Sequence, residues 1–394
     1  MQRFHLSTFI LLKEYHKKNY KYNTINKIYK KIYNKIFTAV HTQEPWFIEV
    51  SINQILNSRN NNLEIVNIPV SEYDITRERS YKKADIAHLH WVGGFLDWPT
   101  FFSKNKKPVV WTLHDMNPFK GFEHIEEPYY GIDSEGFPIL RVRSDKEVEL
   151  SEYWLEFKNS ILAEVENITV VAPSLWMLNK SKNSALFSRY RHVHIPNSVP
   201  ERIFHPKDKT QCCLKLGLPV DKPILLFVAN DVNNSNKGFE YLVRALKALN
   251  LNDNITLCAV GAVTDTFSKQ QIISLGLIND EEKMADIYAA ADAFIIPSLE
   301  DNLPNTMLES LMCGTPVIGF PVGGIQETIQ DGFNGYLCER IGVPPLVETI
   351  KKFLENADSF SREAIAADAL KKYATDIQAQ AYLNLYKEIL DAIK

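Results

Sequence analysis

Seven apolar runs of strand length punctuate this chain, ADIAHLHW, PVVWTLH, ITVVAPS, PILLFVA, ITLCAVG, AFIIPS and TPVIGF, and each is followed by a loop and a helical pattern. Their hydrophobicity is continuous rather than alternating, as in strands covered on both faces. The pattern predicts an α/β chain of doubly wound parallel sheets wrapped by helices. The runs fall into two groups. Between them HIPNSVPERIFHPKDKTQCCLKLGLPVDKP is rich in proline and polar residues, so a linker is expected near Pro196 to Pro206. At 394 residues the chain also exceeds the size at which one core usually stops growing, and two domains are expected. The helix after PILLFVA is marked by Phe239, Leu242, Val243, Leu246 and Leu249 on one face. Another is expected to begin at Asn279, with Glu282 completing a capping box.

Hydrophobic content of 45%, charged content of 23% and 19 prolines exclude a disordered chain or a coiled coil. The five cysteines, Cys212, Cys213, Cys258, Cys313 and Cys338, are odd in number and lack paired metal-ligand spacing, which fits a reducing cytoplasm. No run approaches the roughly 18 apolar residues of a membrane span, and FILL is too short for a signal-peptide core, so a cytoplasmic chain is expected. The net charge of −4 conceals a Lys-rich, tyrosine-laced segment from Lys13 to Lys35. Two readings of it stay open: a surface for anionic lipid on the inner face of the cytoplasmic membrane, or a solvated basic helix. Nucleic acid is not an expected partner, since the rest of the chain has no basic stripe.

The stretch AFIIPSLEDNLPNTMLESLMCGTPVIG concentrates the chemistry. In open parallel sheets, ligands bind beyond the carboxyl ends of the strands. The loop after AFIIPS delivers Glu300, Asp301, Asn302 and Asn305 there, and a helix opening near Pro304 to Thr306 suits phosphate through its free amides and dipole. Asp301 and Glu309 can accept hydrogen bonds from sugar hydroxyls. Gly314 caps the helix, and Pro316 prevents its continuation. Gly323 and Gly324 offer a second close backbone approach ahead of the next helix. In FVANDVNNSNKGFEYL, Lys237 stands at a helix start, where it would neutralise a diphosphate. Alone, Lys237 or Glu309 is an ordinary surface charge; the ordered series carries the functional reading. On the other side VVWTLHDM sets His114 and Asp115 at a strand end, while AHLHWVGG points His88 and His90 the same way beside Trp91. A lone strand-end histidine is usually structural, and three together could suggest a metal, but no fourth ligand is evident.

This series, above all PSLEDNLPNTMLESLMCGTPVIGFPVGGIQE, resembles the family-four glycosyltransferases of the GT-B fold, in the branch that builds bacterial exopolysaccharide, capsule or lipopolysaccharide. The resemblance runs from about Ala84 to the C-terminus. It implies two doubly wound Rossmann-like domains facing across a cleft: an acceptor-side domain over residues 1–200, whose first 40 residues are the atypical basic segment, and a nucleotide-sugar domain over 201–375. Residues 376–394 would form a helix packing back on the first domain. The resemblance further implies a UDP- or GDP-linked sugar donor, a glycan or lipid-linked glycan acceptor, retention of anomeric configuration, and neither metal nor cofactor. The family's acidic pair falls on Asp301 and Glu309: Glu309 would hold the ribose hydroxyls, and Asp301, with Glu300 beside it, would meet the donor sugar. Asn302, the run Pro304, Asn305 and Thr306, and more weakly Gly323 and Gly324, would meet phosphate and sugar. Lys237 would stabilise the departing diphosphate, His114 would orient the donor sugar, and His90, Trp91 and Asp115 would face the acceptor.

The chain departs from the family pattern in two places. Its first glycine is Gly93, so the glycine-rich loop that usually follows the first strand cannot take its usual form, and the first β-α unit reads as lost or replaced. Asp231 and Val232 occupy the positions where an arginine commonly precedes the lysine. Two rival functions therefore stand beside the transferase: a non-catalytic assembly partner on the same fold, and a nucleotide-sugar epimerase or phosphorylase. A dehydrogenase is excluded because no Gly-x-Gly-x-x-Gly turn occurs.

Overall fold

A computed structural model describes residues 8–10, 66–71, 73–231, 234–249, 255–262 and 272–393. All seven apolar runs are strands, divided between two parallel sheets. The first sheet has the order β1 (Thr8–Ile10), β2 (Ile86–Leu89), β3 (Val109–Thr112), β6 (Ile168–Ala172), β7 (Arg191–His194). The second has the order β10 (Ile272–Gly276), β9 (Thr256–Ala262), β8 (Ile224–Asp231), β11 (Ala293–Ile296), β12 (Val317–Gly319), β13 (Gly335–Leu337). The opening β strand is thus retained, since Thr8 pairs in parallel with Ile86, which corrects the expectation that it was lost. The Lys-rich stretch from Lys13 to Lys35 lies outside the described residues.

Burial on both faces follows the two-residue period of the strands. In the first sheet Ala87, Leu89, Val109, Trp111 and Val170 face a core with Trp98, Phe101, Leu162 and Phe187. Ile86, Val110 and Val171 face the opposite way, against Leu385 and Tyr386. Those two residues belong to the last helix, Thr375–Ala392, which therefore returns from the second half of the chain to cover the first sheet. Burying a side chain such as Leu385 contributes roughly 2 kcal/mol. In the second sheet Leu226, Cys258, Phe294 and Val317 take one face, and Leu225, Leu257, Ile295 and Ile318 the other. All five cysteines are free and buried.

The chain crosses from the first domain to the second and back again at neighbouring places. Residues 196–206 lead into the second domain, and within them Val199 donates its amide to Tyr373 O at 2.9 Å, just before the last helix begins. A hairpin of β4 (Tyr129–Ile132) and β5 (Pro138–Leu140) makes a second link. Tyr129 and Ile132 pack on the second domain's core, and Val343 donates its amide to Gly136 O at 2.7 Å. One helix start differs from expectation: Asp280, not Asn279, caps the helix Glu281–Ala290, accepting from the amides of Glu282 and Lys283. Its carboxylate reaches two amides at once, and Glu282 supplies an amide rather than a return bond.

Candidate active site

The strand order of the second sheet places its ligand crevice. From the adjacent strands β8 and β11 the chain runs outward to opposite edges, β9 and β10 on one side and β12 and β13 on the other. The loops that follow β8 and β11 diverge at this switch point. They are zipped together by Asn236, which donates its side-chain amide to Glu300 O and accepts from the Leu299 amide, both at 2.8 Å. Gly238 makes the contact feasible: its φ is 69°, and a Cβ there would lie 1.8 Å from Pro297 O. As a result Lys237 Nζ stands 2.8 Å from Asp301 Oδ2.

The helix Asn305–Met312 begins after Pro304, and no side chain caps it. Met307, Leu308, Leu311 and Met312 are buried, whereas Asn305, Thr306 and Glu309 form the open face. Glu309 accepts a 2.9 Å hydrogen bond from the hydroxyl of the fully buried Tyr288. Burial pushes the Glu309 carboxyl above its ordinary pKa despite that bond.

Across the cleft, the ends of β2 and β3 carry a chain of paired rings. His88 is buried between Thr112 Oγ1 at 2.8 Å and the Tyr386 hydroxyl at 2.6 Å, and Thr112 also meets the Tyr382 hydroxyl at 2.8 Å. Burial, then the neighbouring histidines, lower the His88 pKa to about 2, which makes it a neutral structural pivot. His90 Nδ1 lies 2.9 Å from His114 Nε2, so one of these rings donates and the other accepts. His90 is lowered to about 4 by burial and by His114. The His114 ring opens onto the cleft, yet the surrounding walls withhold enough water to lower its pKa as well. A neutral pair suits orientation of a sugar hydroxyl.

Asp115 is held by a residue that sequence reasoning missed. His124 Nδ1 is 2.6 Å from Asp115 Oδ2, its Nε2 is 2.7 Å from Asn67 Oδ1, and its ring stacks on Trp91 at 5.8 Å. His124 sits in an irregular loop without periodicity, so only its residue type could have drawn attention. Among the described residues no group of three or more His, Cys, Asp or Glu side chains is placed to hold a metal ion.

Trp91, His114, Asp115, Lys237, Glu300, Asp301 and Asn302 line one cavity of roughly 260 Å³ between the domains. His90 stands behind His114. The other nominated residues, Pro304, Asn305, Thr306, Glu309, Gly323 and Gly324, are not part of that lining. Several of the nominated residues are engaged in bonds of their own. The Glu300 carboxylate accepts from the Glu126 amide at 3.1 Å, in a setting whose burial raises its pKa to about 7. Asn302 spends its amide hydrogens on Leu113 O and His114 O, at 2.9 and 3.2 Å, and its oxygen on Ser174. It is a strut between domains. Gly323 and Gly324 do provide a close backbone approach, but to Asp301 and Asn302: a Cβ on Gly323 would lie 1.6 Å from Asp301 O, and the Gly324 amide donates to Asn302 O at 2.7 Å. Glu327, which was not nominated, also bridges the cleft by accepting from the Leu175 and Trp176 amides at 2.8 and 3.0 Å.

Two Rossmann-like domains enclosing a cleft at the carboxyl ends of their strands define the GT-B architecture, and the solved structures similar to this chain share it. Sucrose-phosphate synthase from Thermosynechococcus elongatus aligns with a TM-score of 0.61 at 21% identity, over 78% of this chain and 74% of that one. HepE from Anabaena, solved in complex with UDP and glucose, aligns with a TM-score of 0.56 at 16% identity, over 77% of this chain and 78% of that one. Residues 222–356 match the family profile described as Glycosyl transferases group 1, so the chain carries a domain of that kind. D-inositol 3-phosphate glycosyltransferase from Streptosporangium roseum is 24% identical over 337 residues, 77% of this chain and 71% of that protein. N-acetyl-alpha-D-glucosaminyl L-malate synthase from Bacillus anthracis is 29% identical over 151 residues, 36% of this chain and 39% of that protein.

Proposed function

We propose that this chain is a retaining, metal-independent family-four glycosyltransferase that moves a sugar from a nucleotide-diphosphate donor to a hydroxyl of a glycan or lipid-linked glycan, in synthesis of a bacterial surface polysaccharide. The observation that carries the reading is the cavity in which Lys237 and Asp301, at 2.8 Å, face His114 and Asp115 from the opposite domain. A cation at the switch point, a carboxylate beside it and a neutral imidazole opposite are the groups needed to part a sugar from a diphosphate. In this reading the donor diphosphate takes Lys237 from Asp301, and the freed carboxylate turns to the sugar hydroxyls. Glu309, anchored by Tyr288, accepts from the ribose hydroxyls at the far end of the donor.

The anomeric carbon then carries positive charge in an oxocarbenium-like transition state, as in glycoside hydrolysis. The acceptor hydroxyl attacks from the face the diphosphate leaves, its proton passes to the leaving phosphate oxygen, and the configuration is retained without an enzyme nucleophile. Lys237 stabilises the charge that develops on the diphosphate. His114, neutral and held by His90, orients the donor sugar, while Trp91 and Asp115 face the acceptor. UDP is the first donor nucleotide to test, because the HepE complexes contain UDP and UDP-glucose. Calorimetric titration of UDP, GDP and their sugars into wild type and Lys237→Ala tests the reading; absence of binding across that panel in folded protein would refute it.

A non-catalytic partner on the same scaffold is the second reading, favoured by the absence of any glycine before Gly93. Hydrolysis or transfer of the bound donor's sugar separates the two. Among the described residues no helix is long and apolar enough to cross a membrane. Contact with the cytoplasmic face of a membrane through the Lys-rich segment is part of the proposal, and deleting Met1 to Lys35 should then reduce co-sedimentation with anionic vesicles.

A further inference from the structure

The two-residue period of the first sheet decides which side chains lie under the last helix. Ile86 and Val110 face that helix, so His88 and His90 along β2, and Thr112 and His114 along β3, stand on its side of the sheet. Burial is graded along this row: His88 is 2% exposed, Thr112 is buried, His90 is half-buried and His114 opens onto the cleft. The helix Thr375–Ala392 covers the inner part with Tyr382, Leu385, Tyr386 and Ile389, whose three- and four-residue spacing makes one face. Its register on the sheet is fixed near the domain crossing, where Gln378 donates to Pro196 O and accepts from the Ser198 hydroxyl, both at 2.7 Å.

An apolar face would be enough to hold this helix down. Four polar groups meet under it instead. The Tyr386 hydroxyl lies 2.6 Å from His88 Nδ1, and Thr112 Oγ1 lies 2.8 Å from both His88 Nε2 and the Tyr382 hydroxyl. Buried polar groups cost stability unless each finds a partner, and a bonded set fixes orientation in a way that apolar contacts do not. With both ring nitrogens held, the His88 imidazole cannot rotate without breaking two bonds. It is the floor of a stack: the His90 ring lies on it with centroids 4.1 Å apart, and His90 in turn meets His114 through the 2.9 Å contact of Nδ1 with Nε2. Contact is therefore continuous from Tyr386 to His114.

We infer that Tyr386 and Tyr382 are positioning residues for glycosyl transfer: by fixing His88 they hold the His90 ring in place, and so keep His114 aimed into the cleft. The inference rests on the glycosyl-transfer reading of that cleft. No residue of the last helix lines the cavity, so the two hydroxyls act through the histidines.

Tyr386→Phe in the full chain removes one hydroxyl and little volume. With UDP-glucose as the probe, it should slow release of the sugar to water at least about fivefold and leave UDP affinity by calorimetry unchanged. On a His114→Ala background the same substitution should cost less than about twofold, because the group being positioned is gone. Leu385→Val thins the apolar contact of the same helix; it should lower the melting temperature and spare turnover, which separates positioning from bracing. Histidine ring-nitrogen NMR gives a readout that needs no turnover: the His90 and His114 signals should move in Tyr386→Phe and hold in Leu385→Val. Thr112→Val removes the other bond to His88 and should repeat the pattern, which keeps the test intact if Tyr386→Phe does not fold. Undiminished turnover in Tyr386→Phe, an equal loss on the His114→Ala background, or unmoved His90 and His114 signals overturns the inference. Failure of the transferase reading shows differently, as wild type that neither binds nor cleaves UDP-glucose, and the ring signals then decide by themselves whether Tyr386 holds the two histidines.

Discussion

Lys237 Nζ and Asp301 Oδ2 are 2.8 Å apart, so the cation nominated for the donor's diphosphate is held by the carboxylate nominated for its sugar. The pair is partly exposed, at 35% and 16% of the side chains, and its net worth to the fold is therefore small, about 0.5 kcal/mol. Lys237→Ala should leave the melting temperature nearly unchanged and weaken UDP binding by more than about tenfold, or 1.4 kcal/mol. Unaltered affinity in calorimetry would remove Lys237 from the donor site.

Neutral histidines at the cleft make a prediction about pH. His90 titrates near 4 and His114 below its ordinary value, so protonation of the pair sets in only below the range of a free histidine. The two histidines should therefore cost no turnover as the pH falls from 8 to about 6.5, the ordinary histidine pKa, so His114→Ala should leave the shape of the pH profile above that value unchanged. His114→Ala should spare donor binding and cost turnover more than about tenfold. A variant with full activity would refute the role.

Glu309 reaches the open face of its helix but rests on the Tyr288 hydroxyl at 2.9 Å. Glu309→Ala should fold and lose most nucleotide affinity. Tyr288→Phe removes only the anchoring bond, and a loss smaller than that of Glu309→Ala, about threefold to tenfold, is expected for a bond of about 1 kcal/mol to a carboxylate. Equal nucleotide affinity in all three proteins would place the ribose elsewhere.

Glu300 couples stability to pH. Burial raises its folded-state pKa from 4.5 to about 7, so the native chain holds more protons than the unfolded chain between those values. Its contribution is full below the unfolded value and is lost as the pH rises to about 7, by about 3 kcal/mol at most. Glu300→Gln should flatten that limb of a stability profile measured by urea denaturation at pH 5 and pH 7.5. An unchanged slope would show that Glu300 is not the group responsible.

The strands that form the two sheet centres were legible because each is covered on both faces and so reads as a continuous apolar run. The strands that were missed are short or polar edges. β7 is RHVH, with exposed ends, and β13 is the three-residue GYL, for which hydrogen bonds to Val317, Ile318 and Gly319 matter more than composition. The site was legible to the extent that it is local: Lys237, Asp301 and His114 stand at strand ends that sequence order alone identifies.

Sequence by itself determined the α/β architecture, the switch-point loops and the residue types gathered there, since these follow from periodicity and from glycine and proline placed within a few residues. Tertiary structure alone decided which of those polar groups face the cleft and which face each other. Asn302, nominated for the donor, braces Leu113 and His114 across 189 and 188 residues of sequence, and His124, unremarkable in its loop, fixes Asp115 and stacks on Trp91. A side chain's hydrogen-bond partner is set by the path of distant backbone, and no local pattern encodes that path.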